Sequence, residues 1–140
     1  MTQPKDETIR TMVKDWMYKA ELDMKAAETL VVDGPLLHFP ACAHWEQAAE
    51  KYLKAYLTSK QVEFPKTHSI QALLDVIKTV DAGLATKLAG AAALTPFGVE
   101  MRYPKGDKPP DPKEAQKVKG LAKMVQEEVE KRLESPNSKL

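Results

Sequence analysis

The chain has 140 residues, of which 43% are hydrophobic, and its 21 lysine and arginine residues nearly balance 20 acidic ones. This length suits one domain with its own hydrophobic core. The formal net charge of +1 excludes a global field that would steer the protein to nucleic acid or a membrane, so any anion binding needs a local cluster. A single cysteine, Cys42, excludes a disulfide within the chain and suits a reducing cytosol.

The first ten residues, MTQPKDETIR, have neither the apolar core nor the small-residue cleavage site of a signal peptide. No apolar run approaches the ~20 residues that a membrane-spanning helix needs. We therefore expect a cytoplasmic protein without a membrane partner.

The first predicted helix runs from about Glu7 to Val32. Its apolar residues recur at steps of three and four, which is typical of a packed helical seam. Asp23 is the one charged member of this seam. Asp33-Gly34-Pro35 ends the helix, because glycine can adopt a left-handed cap and proline cannot continue the ladder. The seam consists of Ile9, Val13, Trp16, Ala20, Asp23, Ala27 and Leu30.

The second predicted helix begins within residues 36–40, ends near Ser59 and carries two stripes. Its apolar stripe is typical of a packed helix and consists of Trp45, Ala48, Ala49, Tyr52, Ala55 and Tyr56. A second stripe of hydrogen-bond donors, the donor stripe, consists of His44, Gln47, Lys51 and Lys54. These donors suit an anionic ligand, and they equally suit an ordinary solvated face.

A short third helix is predicted from an N-cap at Thr67 through Ile77 or Val80, which places His68 in its first turn. Asp81 is the predicted cap of a fourth, alanine-rich helix that reaches about Leu94. Its small side chains permit close approach of a neighbouring helix or subunit.

The last predicted helix has the clearest start in the chain. Asp111-Pro112-Lys113-Glu114 combines an N-cap aspartate, proline at the first helical position and an acid at the third. Its apolar face consists of Val118, Leu121, Ala122, Val125, Val129 and Leu133. The connection before it, residues 95–110, is long for a compact domain and is therefore a candidate for function.

Together these elements predict an all-α fold. Strand-type alternation is not sustained anywhere, and two long helices, three shorter ones and mostly short connections favour an antiparallel up-and-down bundle of about five helices. We expect one domain over residues 1–140 with frayed ends at about 1–6 and 135–140.

Several familiar sites are excluded by their spacing. Neither GxxxxGK[ST] nor GxGxxG occurs, which leaves a P-loop and a dinucleotide fold without support. No glutamate lies three residues before a histidine, as the helical di-iron sites require, and Cys42 and His44 point to nearly opposite sides of a helix, a poor zinc geometry. We expect neither a metal nor a cofactor.

Asp23 has two interpretations. A buried carboxylate is costly unless it is paired, and His44 or Lys51 of the second helix are natural partners for a salt bridge that fixes register. The alternative is a role facing a ligand. Arg102 and Tyr103 likewise either grip a phosphate and stack on a base, or anchor the long connection by packing and pairing.

The chain resembles HEPN-domain proteins from about Trp16 to Leu133. The matching motifs appear in the family's order: an acidic residue at Asp23, the pattern CAHWEQAAEKYLK over 42–54, Lys-Thr-His at 66–68, and Leu94 followed by Arg-Tyr-Pro at 102–104. The resemblance implies a helical bundle, often dimeric, that is often paired with a small nucleotidyltransferase in a toxin–antitoxin module.

Some members of that family are ribonucleases that use an arginine followed after four to six residues by a histidine. Here Asp107, Lys108 and Pro109 occupy those positions after Arg102, and no histidine follows His68. The resemblance therefore favours a non-catalytic protein that binds a nucleotide or an RNA phosphate. A ribonuclease with a degenerate site and a purely structural interaction module are the alternatives. The expected phosphate-binding residues are His44, Lys51, Lys54, Lys66, His68, Arg102 and Tyr103, with Asp23 orienting His44 or Lys51.

Overall fold

A computed structural model describes residues 4–98 and 111–133 of the chain. The described residues form five α-helices and two 3-10 helices and contain no strand, which confirms the all-α prediction. The α-helices are α1 (Pro4–Val31), α2 (His38–Ser59), α3 (Ile70–Lys78), α4 (Ala82–Lys87) and α5 (Pro112–Leu133), and the 3-10 helices are Pro35–Leu37 and Ala89–Phe97.

Helix α1 presents the predicted seam to the core. Val13, Ala20 and Ala27 are buried on it, and so is Asp23, at 8% exposure. The helix begins at Pro4, three residues before the predicted start, since proline needs no hydrogen-bond partner in a first turn. Gly34 follows the helix with φ of 125°, the positive value that the predicted glycine stop requires.

Helix α2 lies at the centre and packs against both α1 and α5. Its start and end fall where the sequence predicts them, with Pro40 in the first turn. Trp45, Tyr52, Leu53 and Leu57 are at most 1% exposed, and each contributes about 1.5–3 kcal/mol through burial. The side chains of α2 therefore extend from a helix that is packed firmly into the core.

Helix α1 runs antiparallel to α2, because Asp23 lies beside Lys51 while Trp16, earlier in α1, lies beside Lys54. Helix α5 runs in the same direction as α2. Near the start of both helices, the charge of Glu114 on α5 helps to raise the pKa of the Cys42 thiol on α2. Near their ends, Tyr56 of α2 and Arg132 of α5 both donate hydrogen bonds to the carboxylate of Asp81. The intervening α3, α4 and second 3-10 helix carry the chain back along the bundle.

The start of α3 differs from the prediction. Ser69, not Thr67, is the N-cap, and its hydroxyl accepts a hydrogen bond from the N–H of Ala72. The hydroxyl of Thr67 instead accepts from the N–H of Ser69 and forms the turn before the helix. The predicted place of His68 in the first helical turn is therefore wrong, since His68 precedes the cap.

The extent of the fourth predicted helix is also wrong. Asp81 is its N-cap as predicted, with its carboxylate accepting from the N–H of Leu84. The α-helix ends at Lys87, and residues Ala89–Phe97 continue as a 3-10 helix that includes Pro96. Glycine and proline both disfavour a regular α-helix, and Gly90 and Pro96 lie in this stretch. Thr95, placed in the long connection by the sequence analysis, lies in this 3-10 helix and accepts the N–H of Ile70.

Helix α5 begins with the predicted capping box. The carboxylate of Asp111 accepts from the N–H of Glu114 at 2.8 Å, and the side chain of Glu114 accepts from the N–H of Asp111 at 3.3 Å. Val118, Ala122, Val125 and Val129 of the predicted apolar face are buried, whereas Leu121 and Leu133 are half-buried.

Candidate functional site

The donor stripe lies along the side of α2 that faces α1. Its four residues, His44, Gln47, Lys51 and Lys54, are all half-buried rather than fully solvated. At 1.5 Å per residue the ten-residue span from His44 to Lys54 is about 15 Å long. Two buried carboxylates lie behind this stripe, and they order its donors.

The first of these carboxylates is Asp23 on α1. Its Oδ1 lies 2.7 Å from Nδ1 of His44, and its Oδ2 accepts a hydrogen bond from Nζ of Lys51 at 2.5 Å. The aspartate side chain is 12% exposed, whereas 40% of His44 and 26% of Lys51 face outward. The interhelical salt bridge expected for Asp23 is present, and both candidate partners take part in it.

The second carboxylate is Glu50 on α2, which is 2% exposed. Its Oε1 lies 3.0 Å from Nδ1 of His68 and 3.8 Å from Nζ of Lys54. Gln47 donates a long hydrogen bond of 3.5 Å to the other oxygen. Glu50 therefore joins the donor stripe to the connection that precedes α3.

Beside Glu50 lies a second acid, Glu46, which is completely buried. Gln47 donates to its Oε1 at 2.9 Å, and its Oε2 has no hydrogen-bond partner. Burial, followed by the adjacent carboxylate of Glu50, raises the pKa of Glu46 to about 10. Glu46 is therefore neutral at physiological pH, and Glu50 is the charged member of the pair.

The backbone at Gly98 closes over the carboxyl group of Glu46. A Cβ atom at this position would lie 2.9 Å from the carboxyl carbon and 2.9–3.0 Å from both of its oxygens. Because such distances are shorter than real Cβ contacts, only glycine fits here without a shift of the carboxyl group. This contact is one reason why Glu46 is shielded from water.

The sequence analysis missed Glu46 and Glu50. The signal was present, since the two acids continue at helical spacing into Leu53 and Leu57, which are fully buried. An acid pair four residues apart on an otherwise apolar row indicates a buried carboxyl pair.

The remaining expected site residues lie in different settings. Lys54 is mostly buried, and its Nζ stands 5.5 Å from the centroid of the Trp16 ring. Lys66 is exposed, two residues before His68, whose side chain is 59% exposed. Arg102 and Tyr103 lie outside the described residues.

A separate polar network ties the far end of α2 to α5. Asp81 accepts hydrogen bonds from the Tyr56 hydroxyl at 2.9 Å and from Nε of Arg132 at 3.0 Å, and Arg132 also donates to Glu128 at 2.7 Å. Burial would raise the pKa of Asp81, but the N–H of Leu84, Tyr56 and Arg132 together hold that pKa below its usual value. Because each of these polar groups has a hydrogen-bond partner, the network indicates a structural role, in which it holds the end of α2 to α5.

The part of the chain that the structure describes supports neither a metal site nor a nucleophilic cysteine. Within it, no three histidine, cysteine or acidic side chains cluster as a metal site would require. Burial raises the pKa of the Cys42 thiol to about 12, which makes it a poor nucleophile at neutral pH. No helix within 4–98 and 111–133 is both long and apolar enough to cross a bilayer.

Comparison with known proteins gives one finding that agrees with the expected resemblance. The family model described as the HEPN domain matches residues 13–132, which includes α2, both carboxylate clusters and most of α5. Neither the curated proteins nor the solved structures contain a match to this chain.

Proposed function

Because this chain belongs to the HEPN-domain family, we propose that it is a non-catalytic member that binds a nucleotide or an RNA phosphate and acts as a dimer beside a nucleotidyltransferase. One observation supports the binding role. Asp23 lies against Nδ1 of His44 and Nζ of Lys51, and Glu50 lies against Nδ1 of His68 and Nζ of Lys54. The remaining parts of the His44, Lys51 and His68 side chains are partly exposed to solvent.

This arrangement suits phosphate because the donors are oriented before a ligand arrives. A lysine that gives one N–H to Asp23 keeps two for phosphate oxygens, and hydrogen bonds from charged donors are about twice as strong as neutral ones. We assign direct contact to His44, Lys51, His68 and the neighbouring Lys66. Lys54, which is 12% exposed, would position Glu50 instead.

Arg102 and Tyr103 complete the proposal as residues predicted from sequence. A guanidinium fork binds phosphate oxygens in a bidentate manner, and a tyrosine ring offers a stacking surface for a base. Their contribution is tested separately, by Arg102→Ala and Tyr103→Ala.

Isothermal titration with ATP, GTP and a short RNA tests the binding role. We expect heat with at least one of them, and a weaker affinity in Lys51→Gln. Lys117→Gln is the matched control, since Lys117 is an exposed lysine on α5, away from the donor stripe. The absence of heat at millimolar ligand, or equal loss in both variants, would overturn the proposed site.

The non-catalytic assignment rests on the missing histidine after Arg102. RNA incubated with the protein without metal should be recovered intact. Cleavage that disappears in Arg102→Ala would instead establish the degenerate ribonuclease.

The partner and the dimer follow from what is common in the family. The gene adjacent to that of this chain should encode a nucleotidyltransferase, and co-expression of the two proteins, followed by purification through a tag on one protein only, should recover both. Sedimentation of this chain alone should give twice the monomer mass of 15.6 kDa. A monomer at high concentration would argue against the dimer.

A further inference from the structure

His44 of the donor stripe and the neighbouring His68 share one orientation of the imidazole ring. Each presents Nδ1 to a buried carboxylate, His44 to Asp23 at 2.7 Å and His68 to Glu50 at 3.0 Å. An ionised carboxylate only accepts hydrogen bonds, so Nδ1 must carry the hydrogen in both rings. In a neutral ring Nε2 then holds a lone pair and cannot donate to a phosphate. The ring becomes a phosphate donor at Nε2 only as imidazolium.

The charges around the stripe give the histidines a further role. Lys51 and Lys54 are balanced by Asp23 and Glu50. Glu46 adds no charge, because it is protonated at neutral pH. With both imidazoles neutral, the paired groups therefore sum to zero, and each imidazolium adds one positive charge.

Two exposed lysines lie nearby but outside these pairs. Lys25 of α1 lines the same surface depression as His44, and Lys66 lies on the connection that carries His68. Their exposed charges are screened by solvent, and they attract anions independently of the two histidines.

We propose that a phosphodiester binds the donor stripe together with protons, one on His44 and one on His68, so that affinity rises as the pH falls. This inference rests on the proposed phosphate-binding function and adds its regulation. The buried carboxylates set the tautomer that makes each histidine silent toward phosphate until it is protonated.

The chain has only three histidines, and burial raises the pKa of the Cys42 thiol to about 12, outside the range from pH 6 to 8.

The test uses a uridine hexanucleotide without terminal phosphates, whose charge is constant between pH 6 and 8. Titration of the wild-type protein at both pH values and equal ionic strength should show tighter binding at pH 6 than at pH 8. Calorimetry at pH 7 in two buffers of different ionisation enthalpy should show net proton uptake on binding, which requires no variant.

Variants assign the effect to individual residues. His44→Gln and His68→Gln should each remove part of the pH dependence, and the double variant should bind equally at both pH values. His38→Gln is the control, because His38 is buried at the start of α2, away from the stripe.

Two results would contradict the inference and are distinguishable. Binding that is equally tight at pH 6 and 8, without proton uptake but weakened by Lys51→Gln, would overturn the proton coupling and leave the proposed function intact. No binding at either pH would overturn both.

Discussion

Replacement of Glu46 by glutamine should change how the stability of this protein depends on pH. Burial keeps Glu46 protonated in the folded state up to a pKa of about 10, whereas in the unfolded chain it ionises near its ordinary 4.5. Between these values the folded state binds one more proton than the unfolded state. Stability therefore falls with rising pH through this group, by about 1.4 kcal/mol for each pH unit.

Glutamine has nearly the same shape as a protonated glutamate and does not ionise, so it removes this penalty. Between pH 6 and pH 8 the unfolding free energy of Glu46→Gln should rise relative to wild type by roughly 3 kcal/mol. Urea unfolding of both proteins at pH 6, 7 and 8 measures the difference, in which the contributions of titrating groups far from Glu46 cancel.

The exposed Glu63 provides the control, since Glu63→Gln removes the same charge from a solvated position. Its unfolding free energy should differ from that of wild type by the same amount at all three pH values. If Glu46→Gln also ran parallel to wild type, Glu46 would be ionised in the fold, and the assignment of a neutral Glu46 beside a charged Glu50 would be refuted.

Three other substitutions each test one interaction in the structure: an ion pair, a close backbone contact and a helix cap. Asp23→Asn should cost about 2 kcal/mol, the value of hydrogen bonds to charged groups, discounted because His44 and Lys51 are both partly exposed. Gly98→Ala should cost about 1–3 kcal/mol, because its Cβ would overlap the Glu46 carboxyl group, and less in the Glu46→Ala background. Asp111→Ala should cost about 1 kcal/mol through loss of the α5 cap. Chemical denaturation of each purified variant gives these values.

Each of these substitutions has a contradicting outcome. Unchanged stability in Asp23→Asn would mean that its ion pairs contribute nothing net. Equal costs for Gly98→Ala with and without the Glu46 side chain would show that the carboxyl group is not what excludes a larger residue. An unchanged unfolding free energy in Asp111→Ala would indicate that packing of α5 compensates fully for the lost cap.

The long helices were predictable because packing requires apolar residues at helical spacing, and α1, α2 and α5 show that spacing over at least 22 residues each. The α3 boundary was not, since Thr67 and Ser69 are both competent caps and only the fold decides between them. The 3-10 helix at Ala89–Phe97 likewise has no distinct periodic signature.

The site was predictable in part. The pairing of Asp23 with α2 followed from one charge on an apolar seam. The contact between Glu50 and His68 did not, because it joins residues 18 positions apart through the turn before α3. Whether a buried acid is neutral depends on the dielectric and the charges around it, which the sequence does not give.

The common direction of α2 and α5 has a consequence for the order of folding. The α1–α2 hairpin includes the contacts of Asp23 with His44 and Lys51, which join residues 21 and 28 positions apart. The contact between Asp81 and Arg132 that helps to hold α5 spans 51 positions, and the added chain entropy costs about 0.8 kcal/mol relative to 21 positions. We expect the hairpin to form in the transition state and α5 to dock afterwards, so that core truncations in α5, such as Val125→Ala, mainly accelerate unfolding. The two carboxylates on the α1–α2 side would then be assembled before the last helix closes the bundle.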